Sequence, residues 1–371
     1  MIKYIGSKRM LVPLLHDVAA RLPIASICDL FAGTTRAGQA FRRAGRHVIS
    51  NDLASYSEAF GQTYIAAGDD LDRPRLRGLL AGLQALPGAP GYVTETFCRQ
   101  ARYFSEDNGA AIDAIRAGID DLDVGPVTRG CLLTSLLEAA DRVDSTCGLR
   151  MAYLKSPAPR SLEPLELREP GAVQGPPGEV VRRDANALAR DLGDVDCAYL
   201  DPPYNQHSYF SNYHVWETIT RADRPEAYGI ARKRIDCRTT RSPFNSARGA
   251  WPALVDLIRF DLRAGYLYHG VLGLSADGRA GERELGGVRG DVQHLDEVAC
   301  RADRELYRVP PRLHPVGREC GRGVRDRDAQ EALNRGLISG LSGGRASGPP
   351  RRPSPPLPRS AWNRKARSCP I

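Results

Sequence analysis

Several things are missing from this 371-residue chain. Its nine cysteines form no Cys-x-x-Cys pair and show no metal-type spacing, so neither a disulfide framework nor a cysteine-based metal site is expected. They read as small buried apolar residues or incidental thiols. No apolar run is long enough to span a bilayer, so no membrane association is expected. The start, "MIKYIGSKRMLVPLL", has basic residues but no signal-peptide core or small-residue cleavage site, and a cytoplasmic location is expected. No internal repeat is evident, which argues against a solenoid. The fingerprint Gly-x-Gly-x-x-Gly is absent, which weighs against a dinucleotide cofactor.

Excess charge is missing from most of the chain. The net charge is +8, yet residues 301–371 hold 16 of the 52 basic and only 6 of the 44 acidic side chains. The first 300 residues therefore carry 36 basic and 38 acidic groups. Any basic groove in the body must be made locally.

What is present reads as α/β. The composition is 42% hydrophobic, enough for a sizeable core in one large domain or two ordinary ones. "MLVPLLHDVAARL" has helical periodicity, and "SICDLFA" reads as a strand buried on both faces. "TTRAGQAFRRAG" predicts a helix with Gly45 just past its end, followed by a second strand in "HVISNDL". Residues 60–177 read as mostly helical, with Pro/Gly breaks. "EVVRRDANAL" and "DCAYL" supply third and fourth strands. From about Phe260 neither periodicity persists, and the Gly/Pro/Arg-rich end is expected to be disordered.

"DLFAGTT" places a turn between a strand and a helix. Ala32 and Gly33 let a ligand approach the backbone, and the helix start offers free N–H groups. Asp52 ends the next strand, 19 residues after Gly33, a spacing that suits an acid accepting hydrogen bonds from a ribose. Thr35 stands where a second glycine is expected. The pattern fits a nucleoside cofactor without a pyrophosphate, such as S-adenosylmethionine; a strand-glycine-helix turn without any ligand fits these residues alone as well.

"DCAYLDPPYNQHSYFSNYHVW" ends an apolar stretch in Asp-Pro-Pro-Tyr and continues with Tyr209, Phe210, Tyr213 and Trp216. Pro202 and Pro203 fix φ and donate no backbone hydrogen bond, so they end the strand and stiffen the turn. The free carbonyls, the Asp201 carboxylate and the flat face of Tyr204 suit a planar amine. Such an amine on a nucleobase is a poor nucleophile, because its lone pair is delocalised into the ring. Two acceptors on its N–H groups return electron density to nitrogen. A base must leave the duplex to reach such a turn, at a cost of a few kcal/mol, and stacking on an aromatic ring returns roughly 1–3 kcal/mol. On this reading the aromatics after Tyr204 wall the cleft; the competing reading packs them in a core.

Together these blocks resemble a Dam-type N6-adenine DNA methyltransferase of the alpha group. In "KYIGSKRML", the resemblance places Gly6, Ser7 and Lys8 on the methionine carboxylate of the cofactor and Tyr4 as an aromatic against it. Asp29, Phe31, Ala32 and Gly33 match the Asp-x-Phe-x-Gly motif, and Asp52 matches the ribose-binding acid. Asp184, 17 residues before Asp201, matches the acid that reads the cofactor's adenine amine. Asp201, Pro202, Pro203 and Tyr204 match the catalytic motif. Asn205, Tyr209, Asn212 and Tyr213 are similar to a subgroup's substrate-side positions. Arg241 and Asn245 in "RTTRSPFNSARGA" match that subgroup's DNA or active-site loop.

The resemblance implies a Rossmann-like S-adenosylmethionine-dependent methyltransferase sheet. The catalytic parts are expected at 1–60 and 178–258, a mostly helical target-recognition insertion at 61–177, and a non-matching, disordered or frameshifted tail at 259–371. The implied reaction is methyl transfer to the N6 amine of adenine in duplex DNA by base flipping. The implied protein is a monomer, with a restriction endonuclease acting separately. Alternatives are an inactive DNA- or cofactor-binding remnant, N4-cytosine methylation, where serine usually replaces Asp201, and a nicotinamide enzyme, in which Asp-Pro-Pro-Tyr has no job. The tail's Arg/Gly/Pro/Ala mixture suits out-of-frame translation of GC-rich DNA from near Arg259; a divergent basic tail is the other reading. His214, His207 and Gln206 read as surface or packing residues. "RKR" at 232–234 reads equally as a phosphate contact or a solvated face, and Asp69, Asp70 and Asp72 read as loop.

Overall fold

Short apolar runs supply the strands of a parallel sheet, and the amphipathic stretches between them supply its covering helices. A computed structural model describes residues 3–4, 8–146, 156–203, 208–261 and 266–269. All of them belong to one compact unit, Met1–Pro310. In chain order the elements begin with α1 (Val12–Arg21), β1 (Ser26–Asp29), α2 (Arg36–Arg43), β2 (His47–Asn51) and α3 (Ser55–Gly61). A helical region follows with α4 (Arg73–Gln84), α5 (Glu106–Asp120) and α6 (Pro126–Arg142). The chain returns through β3 (Glu179–Val181), α7 (Ala185–Asp191), β4 (Cys197–Leu200), α8 (Tyr209–Asn212) and α9 (His214–Arg221). A hairpin of β5 (Ala227–Tyr228) and β6 (Lys233–Arg234) precedes α10 (Ala247–Asp261) and β7 (Tyr266–His269).

The central sheet runs β3-β2-β1-β4-β7 with every pair parallel. Its strand order reverses between β1 and β4, and sheets of this kind bind ligands beyond the carboxyl ends of the strands at that point. Alternate residues of the two central strands face opposite sides. Ile27, Cys197 and Tyr199 pack with Leu15, Ala19, Ala40 and Phe41 of α1 and α2. Cys28, Ala198 and Leu200 pack with Leu188, Leu254 and Leu257 of α7 and α10. Burial on both faces is why these strands read as unbroken apolar runs.

Gly45 caps α2 as the sequence predicts. Its φ is +81°, and the Arg46 N–H reaches back to the Phe41 carbonyl at 3.1 Å. Asp72, expected in a loop, also caps a helix: its carboxylate accepts from the Arg75 N–H at 2.9 Å at the start of α4.

The helical region between β2 and β3 is continuous with the rest of the molecule. Its buried Phe97, Tyr103, Ile112, Leu132 and Leu136 share one core with Phe60 of α3 and with Tyr213, Val215 and Trp216. The sheet does not stop at β4, either. The tail expected from residue 259 contributes the outer strand β7, in register from Cys197–Tyr266 to Leu200–His269. Four residues flanked by glycines are too short to show a period, so the sequence reading missed that strand. The remaining expectation for the tail, from 270 onward, lies outside the described residues. No helix among the described residues is long and apolar enough to cross a membrane.

Candidate active site

The turn after β1 takes up a conformation that explains its residues. Gly33 has φ +52°, and a Cβ there would come within 3.1 Å of the Tyr4 hydroxyl. Asp52, just past β2, accepts the Gly33 N–H at 2.8 Å on one oxygen and the Ala54 N–H at 2.9 Å on the other. Burial pushes the Asp52 carboxyl above its ordinary range, and those amides partly offset the rise. Thr35 also lies in the left-handed region, at φ +59°, which accounts for the glycine expected there. Its hydroxyl donates to the Thr34 carbonyl at 2.7 Å and accepts from Gln39 Nε2 at 3.1 Å, anchoring a fully buried side chain.

Three carboxylates converge at the switch point. Asp29 ends β1, Asp201 follows β4, and Asp52 follows β2. Asp29 is 0% exposed, and neither of its oxygens forms a well-aligned hydrogen bond among the described residues. Burial first, and the Asp201 carboxylate second, push its pKa up to about 8; the Phe31 and Gly38 amides only partly offset this. Asp201 Oδ2 pairs with Lys8 Nζ at 2.7 Å. Lys8 therefore sits on the expected catalytic acid rather than standing free for a cofactor carboxylate.

One cleft of about 200 Å³ gathers most of the residues singled out in the sequence. Tyr4, Lys8, Asp29, Phe31, Ala32, Gly33, Asp52 and Asp184 line it with Asp201, Pro202, Pro203, Tyr209, Arg241 and Asn245. Asp184 also caps α7, accepting the Ala187 N–H at 3.0 Å. Gly6, Ser7, Tyr204 and Asn205, like Gln206 and His207, lie outside the described residues.

Asn212 and Tyr213 do not reach the cleft. They are 4% and 0% exposed, and Tyr213 stacks between Tyr4 at 4.4 Å and Trp216 at 4.7 Å. Of the aromatics expected to wall the cleft, only Tyr209 and Phe210 line it; Tyr213 and Trp216 are core. His214 is a packing residue, buried edge-on against Phe97 and Tyr103.

The sequence reading overlooked Leu53, Tyr56, Arg36 and Arg183 in the lining. Each neighbours a motif residue in the chain or, for Tyr56, contacts Tyr4. Flanking the motifs was the only signal available.

A buried, weakly hydrogen-bonded carboxylate opening into a cleft suits a ligand that brings a cation. The glycine turn under Tyr4 suits a close backbone approach. Both fit the amino-acid and sulfonium end of S-adenosylmethionine.

Comparison with known proteins agrees. Residues 4–244 match the D12 class N6 adenine-specific DNA methyltransferase family. The chain is 35% identical over 235 residues to the type II methyltransferase M.NlaIII of Neisseria lactamica, covering 59% of this chain and 69% of that protein. It is 32% identical over 235 residues to the type II methyltransferase M.CviAII of Paramecium bursaria Chlorella virus 1, covering 59% and 68%. It is 28% identical over 282 residues to modification methylase LlaI of Lactococcus lactis subsp. lactis, covering 69% of this chain but 44% of that protein. No solved structure matches.

Proposed function

This chain belongs to the D12 class of N6 adenine-specific DNA methyltransferases, and from that premise we propose how its residues divide the work. Asp29, Gly33, Tyr4, Asp52 and Asp184 hold S-adenosylmethionine. Asp201, Pro202 and Tyr204 hold an adenine extruded from duplex DNA. The observation that carries this reading is the meeting of a weakly hydrogen-bonded carboxylate, Asp29, and a paired one, Asp201, in one cleft at the sheet's switch point.

S-adenosylmethionine, when bound, supplies an electrophilic methyl group on a positively charged sulfur. The Asp29 carboxylate would face the cationic end of that ligand. Asp52 fastens the glycine turn and offers its remaining lone pairs to the ribose hydroxyls. Asp184, exposed at the start of α7, is left to accept from the cofactor's adenine amine. On the substrate side, Lys8 holds Asp201 through Oδ2 and leaves Oδ1 for one N–H of the target amine. The Pro202 carbonyl takes the other. Asp201 Oδ1 would take the proton that the amine sheds on accepting the methyl group. Aligned acceptors and a near-attack geometry supply the acceleration, with no covalent enzyme intermediate. Tyr204 supplies the stacking face.

The test is Asp201→Ala. Tritiated methyl transfer to unmethylated duplex DNA should fall about 10²–10³-fold or more, with calorimetric binding of S-adenosylmethionine retained. Undiminished labelling overturns the reading. Product analysis separates N6-methyladenine from N4-methylcytosine, and binding without transfer by the unaltered chain points to a remnant.

The finer features are also proposed. The order of cofactor motifs, helical insertion and catalytic motif supports the Dam-type alpha arrangement, with 61–177 as the target-recognition part. A monomer in the cytoplasm and a separately acting restriction endonuclease fit the relatives' description as modification methylases. A frame shift near codon 259 is supported by the Arg/Gly/Pro-rich composition that follows. If neither alternative frame downstream encodes alternating apolar strands, that idea fails.

A further inference from the structure

The body of the chain has slightly more acidic than basic side chains, which disfavours a polyanion, so the cations that meet DNA must be concentrated somewhere. Residues 221–241 hold seven basic and three acidic side chains. Two of the acids are consumed internally. Arg234, 1% exposed, forks onto Asp223 at 2.6 and 2.7 Å and onto Asp236 at 2.8 and 3.0 Å. Arg221 pairs with the same two carboxylates at 2.9 and 3.5 Å. The third acid, Glu226, is exposed. Five cations remain without an ion-pair partner among the described residues: Arg224, Arg232, Lys233, Arg238 and Arg241.

The geometry fixes the hairpin beside the cleft. Asp223 precedes the β5–β6 hairpin and Asp236 follows it, so Arg234 staples both ends. Its guanidinium lies 6.0 Å over the ring of Phe210, which lines the cleft with Arg241. The Tyr103 hydroxyl donates to the Ala231 carbonyl at 3.1 Å, and that of Tyr92 to the Pro225 carbonyl, tying the hairpin to the helical region. Gly229 and Arg232 take positive φ of 69° and 47°, which sets the turn between the strands. The "RKR" ambiguity thus resolves in two directions: Arg234 is a buried brace, whereas Arg232 and Lys233 are only partly buried and unpaired.

We propose that this braced hairpin is a phosphate-contacting edge for duplex DNA, gripping the backbone beside the extruded base through Arg224, Arg232 and Lys233. It lies after the catalytic motif, outside the insertion expected to read sequence. It therefore adds affinity and register in place of base specificity. Charge complementarity carries the inference: five unpaired cations cluster around a brace that lies over Phe210 of the cleft lining, in a body whose overall balance is slightly acidic. The proposal rests on the DNA methyltransferase reading above.

The experiment uses the full chain and an unmethylated duplex, with affinity measured by fluorescence anisotropy across a salt series. The variant Arg224→Gln/Arg232→Gln/Lys233→Gln removes three charges and spares both Arg234 and the cleft. If each charge meets a phosphate, the slope of log affinity against log salt shrinks by about 0.9 per contact. Two to three contacts correspond to roughly 30- to 200-fold weaker binding at about 0.15 M salt. Melting temperature and S-adenosylmethionine affinity should not change. The control Arg21→Gln/Arg43→Gln/Arg75→Gln removes equal charge from exposed positions that do not line the cleft, and it should keep the wild-type slope. An unchanged slope in the hairpin variant, or an equal loss in the control, overturns the proposal while wild-type methylation still stands. A wild-type chain that neither binds nor methylates duplex DNA overturns the functional reading, and the proposal with it.

Discussion

Binding of the cationic cofactor should expel a proton from Asp29. With its pKa pushed up to about 8, most molecules hold Asp29 neutral at pH 7, and ionising it costs on the order of 1 kcal/mol. A cation placed against those weakly hydrogen-bonded oxygens reverses the preference, so binding drives the proton off. Asp29's contribution to affinity should rise about tenfold per pH unit on approaching pH 8 and level off above it. Calorimetry in buffers of different ionisation enthalpy counts the released proton directly. The ligand's own α-amino group titrates near about 7.7–8.0 with the opposite effect, so Asp29→Asn supplies the baseline. Stability of the free protein gives an independent sign. The folded pKa lies above the unfolded value of about 3.9, so between the two only the folded state holds the proton. Stability should then fall as pH rises, by about 1.4 kcal/mol per unit, and Asn should remove that slope. Equal proton release by wild type and Asp29→Asn refutes the argument.

Gly33→Ala forces a left-handed residue at a cost of about 1–2 kcal/mol and drives a Cβ toward Tyr4. Cofactor affinity should drop at least about tenfold by calorimetry. Lys8→Met releases Asp201 from its partner; the turnover number should fall with little change in cofactor affinity, as read by steady-state methylation. Glu217, 2% exposed, accepts the Ser55 N–H and hydroxyl at 2.9 Å each and so fixes the start of α3 three residues after Asp52. Glu217→Ala should cost about 2–3 kcal/mol in urea unfolding and Glu217→Gln distinctly less. Trp216→Ala should cost about 3–5 kcal/mol, since its indole is wholly buried.

Legibility followed the range of the interaction. The central strands were readable because burial on both faces makes every residue apolar, and the α2 cap because one left-handed position demands glycine. Asp29, Asp52 and Asp201 were readable because each sits at a strand end. Strand β7 was not, since four residues carry no period and its pairing depends on β4, some 70 residues earlier in the chain. The Lys8–Asp201 pair was invisible too: its members are 193 positions apart, and nothing local to Lys8 distinguishes a cofactor contact from a partner for the catalytic acid. Arg234 and its neighbours Arg232 and Lys233 are alike in sequence. They separate only when folding brings Asp223 and Asp236 to the first of them.

The aromatic run after Asp-Pro-Pro-Tyr shows what the fold adds to such spacing. Tyr209, Tyr213 and Trp216 recur at intervals of four and three residues, the spacing of one helical face, so a single exposed wall was never their natural arrangement. Tyr4 arrives from the far end of the chain and stacks on Tyr213, with Tyr209 5.4 Å away on the cleft side. Its hydroxyl points over Gly33. The same ring therefore belongs to the cofactor turn, to the helix that follows the catalytic motif and, through Trp216, to the core of the helical region. A shift of α9 on engaging DNA must move Tyr4, and Tyr4 cannot move without altering the space above Gly33. Affinity for the cofactor and affinity for DNA should thus be coupled, by equal factors in both directions. Tyr4→Ala should reduce that coupling toward unity even where each ligand still binds alone.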